Sequence, residues 1–116
     1  MVRPHYRLEA WKVSRALVKR VYEITRAFPP VEIYGLTAQM RRAAISIPSN
    51  LAEGAARTGQ KEFAQFVNIA NGSLSELETQ LLLSADLGYL DSDHEIFSQV
   101  DQVSALLQGL HRSISK

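Results

Sequence analysis

Between Phe63 and Ser84 the chain sets a small or apolar residue at alternating steps of four and three: Phe63, Val67, Ala70, Leu74, Leu77, Leu81 and Ser84. This is heptad spacing held for three repeats, and at 3.6 residues per turn it draws one dry seam along a single long helix. A strand, with its period of two, would scatter the same residues over both faces. The seam has to be covered by other helices, which restricts the chain to a helix-on-helix architecture. The pattern predicts a helix over about residues 60–87, roughly 40 Å long. Thr58 is expected as its N-cap and Gly88 as its C-terminal stop. Gly72 lies inside it, at a cost of about 1 kcal/mol relative to alanine, and is read as a point of close helix–helix approach.

Three further segments carry the same signal. Ala10, Val13, Leu17, Val21, Ile24 and Phe28 form one helical face over about residues 8–27, which Pro29-Pro30 ends. Ile96, Val100, Val103, Leu107, Leu110 and Ile114 form another over about 93–113, with Ser92 and Glu95 at capping-box spacing. Leu36, Met40, Ala43, Ile47 and Leu51 form a third over about 36–56, with Gly35 or Thr37 at its start. Pro48 sits inside this last segment and cannot donate to the carbonyl of Ala44. The apolar period stays in phase through Leu51, so a kink is expected there in preference to a break. The connections are short enough to make sequential helices antiparallel neighbours. The expected fold is all-α: one domain over residues 1–116, an antiparallel up-down-up-down four-helix bundle with a kinked second helix.

Composition narrows the chemistry. With no cysteine there is neither a disulfide framework nor a thiolate metal site. The three histidines lack ligand spacing, and Asp91-Ser92-Asp93-His94 is a loose echo of a carboxylate-bundle motif, better read as a helix cap beside a solvated His94. Gly54 to Lys61 superficially resembles a phosphate-binding loop, but the lysine falls one place late, no Ser or Thr follows it, and no strand precedes it. No nucleophile elbow or triad order is present. The expectation is therefore a protein that is not an enzyme, with no cofactor and no metal. No apolar run approaches the roughly 20 residues that span a bilayer. The charged N-terminus lacks an apolar signal-peptide core, and a cytoplasmic address is expected.

Net charge is only +1, yet it is unevenly spread. Residues 1–57 hold ten basic and four acidic residues, a balance of +6, and residues 58–116 hold three basic and eight acidic, a balance of −5. Either the basic helices neutralise the acidic ones inside the bundle, or the basic half presents a face to nucleic acid. Lys12, Arg15, Lys19 and Arg26 share a face of the first segment, while Arg20 stands apart. With Arg41, Arg42, Arg57 and Lys61 they make the candidate nucleic-acid-binding set. No helix-turn-helix, RNP aromatic or Gly-x-x-Gly signature accompanies them, so phosphate contact without base reading is expected.

The second segment has two other edges. Arg42, Ser46, Asn50, Glu53 and Arg57 recur at steps of three and four beside the core stripe. They are read as a polar network between helices, with Glu76 or Glu78 answering Arg42, as a ligand or RNA edge, or as an ordinary solvated face. Ala38, Ile45, Pro48, Ala52 and Ala56 make a small, apolar edge. A bundle helix buries one broad stripe, so a second apolar edge implies a second contact, within the bundle or with another subunit. A homo-oligomer is expected, with RNA or another nucleic acid as possible partner, a protein partner as the alternative, and no membrane.

Tyr34-Gly35-Leu36, Gln39, Arg41-Arg42-Ala43, Ser46-Ile47-Pro48, Asn50, Ala52-Glu53-Gly54, Lys61-Glu62-Phe63, Ser73-Leu74-Ser75-Glu76-Leu77-Glu78 and Asp86-Leu87-Gly88-Tyr89-Leu90 carry a family likeness. Over about Leu8 to Leu110 the chain resembles the four-helix-bundle proteins encoded in bacterial 23S rRNA intervening sequences. The resemblance implies an antiparallel bundle that assembles into a ring, a pentamer. More distantly, the family is similar to the accessory proteins of diversity-generating retroelements, whose basic pentameric barrels bind nucleic acid and a reverse transcriptase. Many members are more basic than this chain, and none supplies catalytic residues to carry over.

Overall fold

The computed structural model describes residues 2–115. Four helices account for most of them: α1 (Glu9–Thr25), α2 (Leu36–Ala55), α3 (Gln60–Asp86) and α4 (Ile96–Ile114). Short 3-10 turns at Pro4–Arg7 and Pro30–Glu32 precede α1 and α2. Among the described residues there is no strand, and no helix is long and apolar enough to cross a membrane.

Contacts along the helices give their directions. Met40, Ser46 and Gly54 of α2 meet Ser84, Ser73 and Phe66 of α3 in that order, so residue numbers rise on one helix as they fall on the other. Arg20 near the end of α1 pairs with Glu95 at the start of α4, while Leu8 and Ala10 border Leu106 and Leu110. Each helix packs on the next and α4 closes on α1. The bundle therefore runs up, down, up, down around one square core.

That core holds the expected stripes. Leu17 and Val21, Met40, Ile47 and Leu51, Val67, Leu74, Leu77 and Leu81, and Ile96, Val100, Val103 and Leu107 are all buried. Each such side chain contributes about 1.5–3 kcal/mol relative to exposure. Trp11 packs on the core from its rim. Buried Ser14, Thr25 and Ser84 bond back into their own helices: Ser14 donates to the Trp11 carbonyl at 3.0 Å, Thr25 to that of Val21 at 2.7 Å and Ser84 to that of Gln80 at 2.8 Å. Helix α2 is continuous across Pro48, because the core stripe holds both sides of it in register.

The ends of the helices differ from expectation in three places. Gly59, not Thr58, is the N-cap of α3, and no side chain caps it. Helix α4 begins at Ile96, later than the expected residue 93, and Ser92 and Glu95 form no capping box. His94 does that work: its Nδ1 accepts the Ile96 amide at 3.0 Å. An imidazole fixed two residues upstream reaches the free amide, whereas the exposed Asp91 and Asp93 carboxylates make no bond to the helix. At the end of α3 the expected stop is present. Gly88 has φ +82, and the amides of Tyr89 and Gly88 donate to the carbonyls of Ser84 and Ala85, a Schellman closure. The Tyr89 hydroxyl then donates to Glu32 at 3.0 Å, tying the α3–α4 loop to the α1–α2 loop. This bond and the adjacent carboxylate charge raise the tyrosine's pKa.

The glycine of close approach is also a different one. A Cβ on Gly72 would meet nothing within 4 Å, and the residue is exposed. A Cβ on Gly54 would lie 2.5 Å from the Phe66 Cβ and 3.0 Å from the Phe63 ring. Here α2 and α3 converge toward their connection, and only a hydrogen fits between them. Gly54→Ala should therefore destabilise the protein by about 1–3 kcal/mol through overpacking, while Gly72→Ala should stabilise it by up to about 1 kcal/mol. Urea unfolding of both variants checks this; a stable Gly54→Ala protein would contradict the packing.

Candidate nucleic-acid interface

The bundle leaves two edges of α2 outside its core, together with the outer face of α1. On α1 the residues Lys12, Arg15, Lys19 and Arg26 are exposed together on the side away from the core. Arg15 lies over the Trp11 ring, 4.8 Å from its centroid, and Trp11 in turn packs against His5 and Tyr6 of the preceding turn. Arg20, which stands apart by angle, is turned toward α4 and paired with Glu95.

Among the described residues only two ion pairs form, Arg20–Glu95 and Arg57–Glu53, and only the first joins the basic half of the chain to the acidic half. Lys116 lies outside the described residues. Internal neutralisation therefore does not account for the charge asymmetry. The α1 cations stay on the surface, and Glu62, Glu76, Glu78, Asp86 and Asp101 stay exposed on α3 and α4.

The two adjacent arginines of α2 go to different grooves, as 100° of helical rotation requires. Arg41 turns toward α1. Its guanidinium lies over the Tyr22 ring, 4.4 Å from the centroid, and its Nε donates to the Thr25 hydroxyl at 2.9 Å. Arg42 turns toward α3 and lines a shallow polar depression with Ser46, Ser73 and Glu76. Arg57 lies over the Phe66 ring at 5.1 Å and within 3.5 Å of Glu53. Lys61 lies away from the α1 face, beside Ile114 and Ser115 at the end of α4. The cations grouped from the sequence are thus spread over several surfaces.

The polar edge divides in the same way. Ser46 and Ser73 share a hydrogen bond of 2.8 Å across the α2–α3 contact. Asn50 donates to the Ser46 carbonyl and hydroxyl at 2.8 and 2.9 Å. Ser73, absent from the sequence-based network, is its interhelical member, and a serine beside the seam gives no advance signal of that. Glu76, not Glu78, shares the depression with Arg42, and neither carboxylate forms an ion pair with it among the described residues. On α3, Glu78 sits 200° from Glu76 and belongs to another side of the helix.

The small edge of α2 lies outward. Ala38, Ile45 and Ala56 are exposed, Pro48 and Ala52 are half-buried, and Ile45 keeps 42% of its surface in water. A larger concavity of about 350 Å³ lies elsewhere, between α3 and α4, bordered by Asn68, Asn71, Gln108 and His111. His111 there meets the Ser115 hydroxyl at 3.2 Å. No cluster of three or more His, Asp or Glu side chains forms among the described residues.

The hydrogen bonds assign different weights to neighbours on the polar edge. Asn50→Ala removes both bonds to Ser46 and should cost about 1 kcal/mol, whereas Arg42→Ala should change stability by less than about 0.5 kcal/mol. Chemical unfolding midpoints compare the two directly; equal losses would mean that Arg42 belongs to the network after all.

Among curated proteins none matches the chain. The model of one family, described as 23S rRNA-intervening sequence protein, matches residues 6–109. The matched stretch begins in the turn before α1 and ends within α4, so it takes in the basic α1 face, the three edges of α2 and the whole α2–α3 contact. The chain therefore belongs to the 23S rRNA-intervening sequence protein family.

Proposed function

We propose that the protein is a non-catalytic homo-oligomer that holds the phosphate backbone of structured RNA on the α1 face. The observation that carries this reading is the surface set Lys12, Arg15, Lys19 and Arg26, which forms no ion pair with any described carboxylate. Cations left in water next to one another repel, and a polyanion relieves that repulsion while releasing its own counterions. The exposed carboxylates of α3 and α4 orient the subunit by turning that side away from the strand. Family membership agrees with an RNA context. Binding through phosphate contacts has little base selectivity and falls steeply with salt.

The oligomer is proposed on the outer edge of α2. Ala38, Ile45, Ala52 and Ala56 are short enough to admit a second backbone closely, and assembly would cover the exposed part of Ile45. A subunit with one basic and one acidic side suits head-to-tail contacts, which close into rings. Five subunits are the number implied by the resemblance to the intervening-sequence family.

A second reading, a protein–protein accessory subunit without nucleic acid, is favoured by one feature. Val31, Ile33 and Tyr34 of the α1–α2 loop and Leu87 at the end of α3 are exposed, Tyr34 at 94%, on the same end of the bundle.

Two experiments test these proposals. The triple variant Lys12→Glu, Arg15→Glu, Lys19→Glu should lose at least about 100-fold in affinity for a structured RNA at low salt, measured by fluorescence anisotropy with circular dichroism unchanged. Wild-type affinity that is weak and insensitive to salt would favour the accessory reading. Ala52→Glu should bring the molar mass in light scattering down to the monomer value of 13.0 kDa; an unaltered assembly would place the interface elsewhere.

A further inference from the structure

At the end of α1 a concavity of about 250 Å³ opens between the two basic helices. Arg26, Phe28, Pro30, Ile33, Thr37 and Arg41 are among its lining residues, and no carboxylate lines it. We infer that it is a binding site for a terminal phosphate monoester, such as the 5′-phosphate of a nucleic-acid strand or of a free nucleotide.

Three features built into the fold point to that ligand. Arg41 is held rigidly: the Tyr22 ring supports its guanidinium, and the 97% buried Thr25 receives its Nε proton. Thr25 can accept because its own proton goes to the Val21 carbonyl. With Nε tied, the two terminal amino groups of Arg41 make no hydrogen bond among the described residues, and they form the planar fork that matches two oxygens of a phosphate. Thr37 supplies the second feature. It is 95% buried, it lines the concavity, and its hydroxyl forms no hydrogen bond among the described residues. That hydroxyl opens on the concavity, where it can both donate to and accept from a ligand. Charge is the third. Arg26 and Arg41 place two positive charges at one concavity with no acid to answer them, whereas a phosphodiester carries one negative charge and a monoester close to two at neutral pH. The apolar wall of Phe28, Pro30 and Ile33 leaves room for the sugar or base to rest against carbon.

Glu32 does not compete for the site. Its carboxylate accepts the Leu36 amide and the Tyr89 hydroxyl, which turns it toward the α3–α4 loop. The strand-end form of the inference rests on the proposed nucleic-acid reading; capture of a free nucleotide does not.

The test compares a short single-stranded RNA bearing a 5′-phosphate with the same RNA bearing a 5′-hydroxyl, alongside a nucleoside 5′-monophosphate and inorganic phosphate at matched ionic strength. The phosphorylated RNA should bind at least about tenfold tighter, a difference of about 1.4 kcal/mol. Thr37→Val and Arg41→Lys should each erase that preference, the first with no loss of stability because the hydroxyl has no partner to abandon. The α1 triple variant should weaken both RNAs and keep the preference. If both RNAs bind equally, and phosphate raises the melting temperature of Arg41→Lys as much as that of the wild type, the inference is overturned while the α1 reading survives. If neither RNA binds, but the monophosphate and phosphate stabilise the wild type and not the two variants, the site stands and the α1 reading falls.

Discussion

The contact between α2 and α3 is the constraint on which the remainder of the molecule depends. At Gly54 the helices approach so closely that a methyl group would sit 2.5 Å from Phe66. Farther along, the Ser46–Ser73 bond replaces packing with a directional link, and near the other end Met40 meets Ser84. Three unlike contacts on one line fix the rotation of α2 about its own axis. Once that rotation is set, every other residue of α2 has its surroundings assigned: Arg41 meets α1, Arg42 opens on the polar depression, and Ile45 faces water.

This has an electrostatic consequence. A bundle whose basic helices faced its acidic ones across the core contacts would neutralise itself. Here α1 neighbours both α2 and α4, and the outer face of α1 is where its cations collect. Only Arg20 lies close enough to α4 to find a carboxylate. The near-zero net charge of +1 therefore conceals an uneven spread of sign, with Lys12, Arg15, Lys19 and Arg26 exposed beside Glu9 and Glu23 on α1 and most of the remaining exposed carboxylates on α3 and α4, and such a spread has consequences that net charge does not measure.

Much of the fold is legible in the sequence because heptad spacing and helical rotation are geometric. The stripes from Phe63 to Ser84 and from Ile96 to Ile114 leave few architectures open, and angle alone separates Arg20 from its basic neighbours. What escapes the sequence depends on distance between helices. Gly54 and Gly72 look alike in a helical pattern, and only the convergence of α2 and α3 tells which of them is needed. The helix caps escape for a similar reason: Ser92 and Glu95 have the right spacing, but the chain turns so that His94 arrives first. The Trp11–Arg15 contact lies four residues apart and is readable as one helical step. The pairing of Tyr22 with Arg41 joins two helices across a loop and gives no local signal. The same limit applies to Ser73 and to the choice between Glu76 and Glu78, since each depends on which side of α3 meets α2.

In the proposed function the α1 face, and not the acidic side or the Lys61 end, meets nucleic acid. Lysine acetylation rates with and without a structured RNA test it most directly, because Lys12 and Lys19 lie on that face and Lys61 lies beside the end of α4. RNA held on the α1 face should slow acetylation of Lys12 and Lys19 several-fold and leave Lys61 at its free rate. Equal protection of all three lysines, or protection of Lys61 alone, would contradict it.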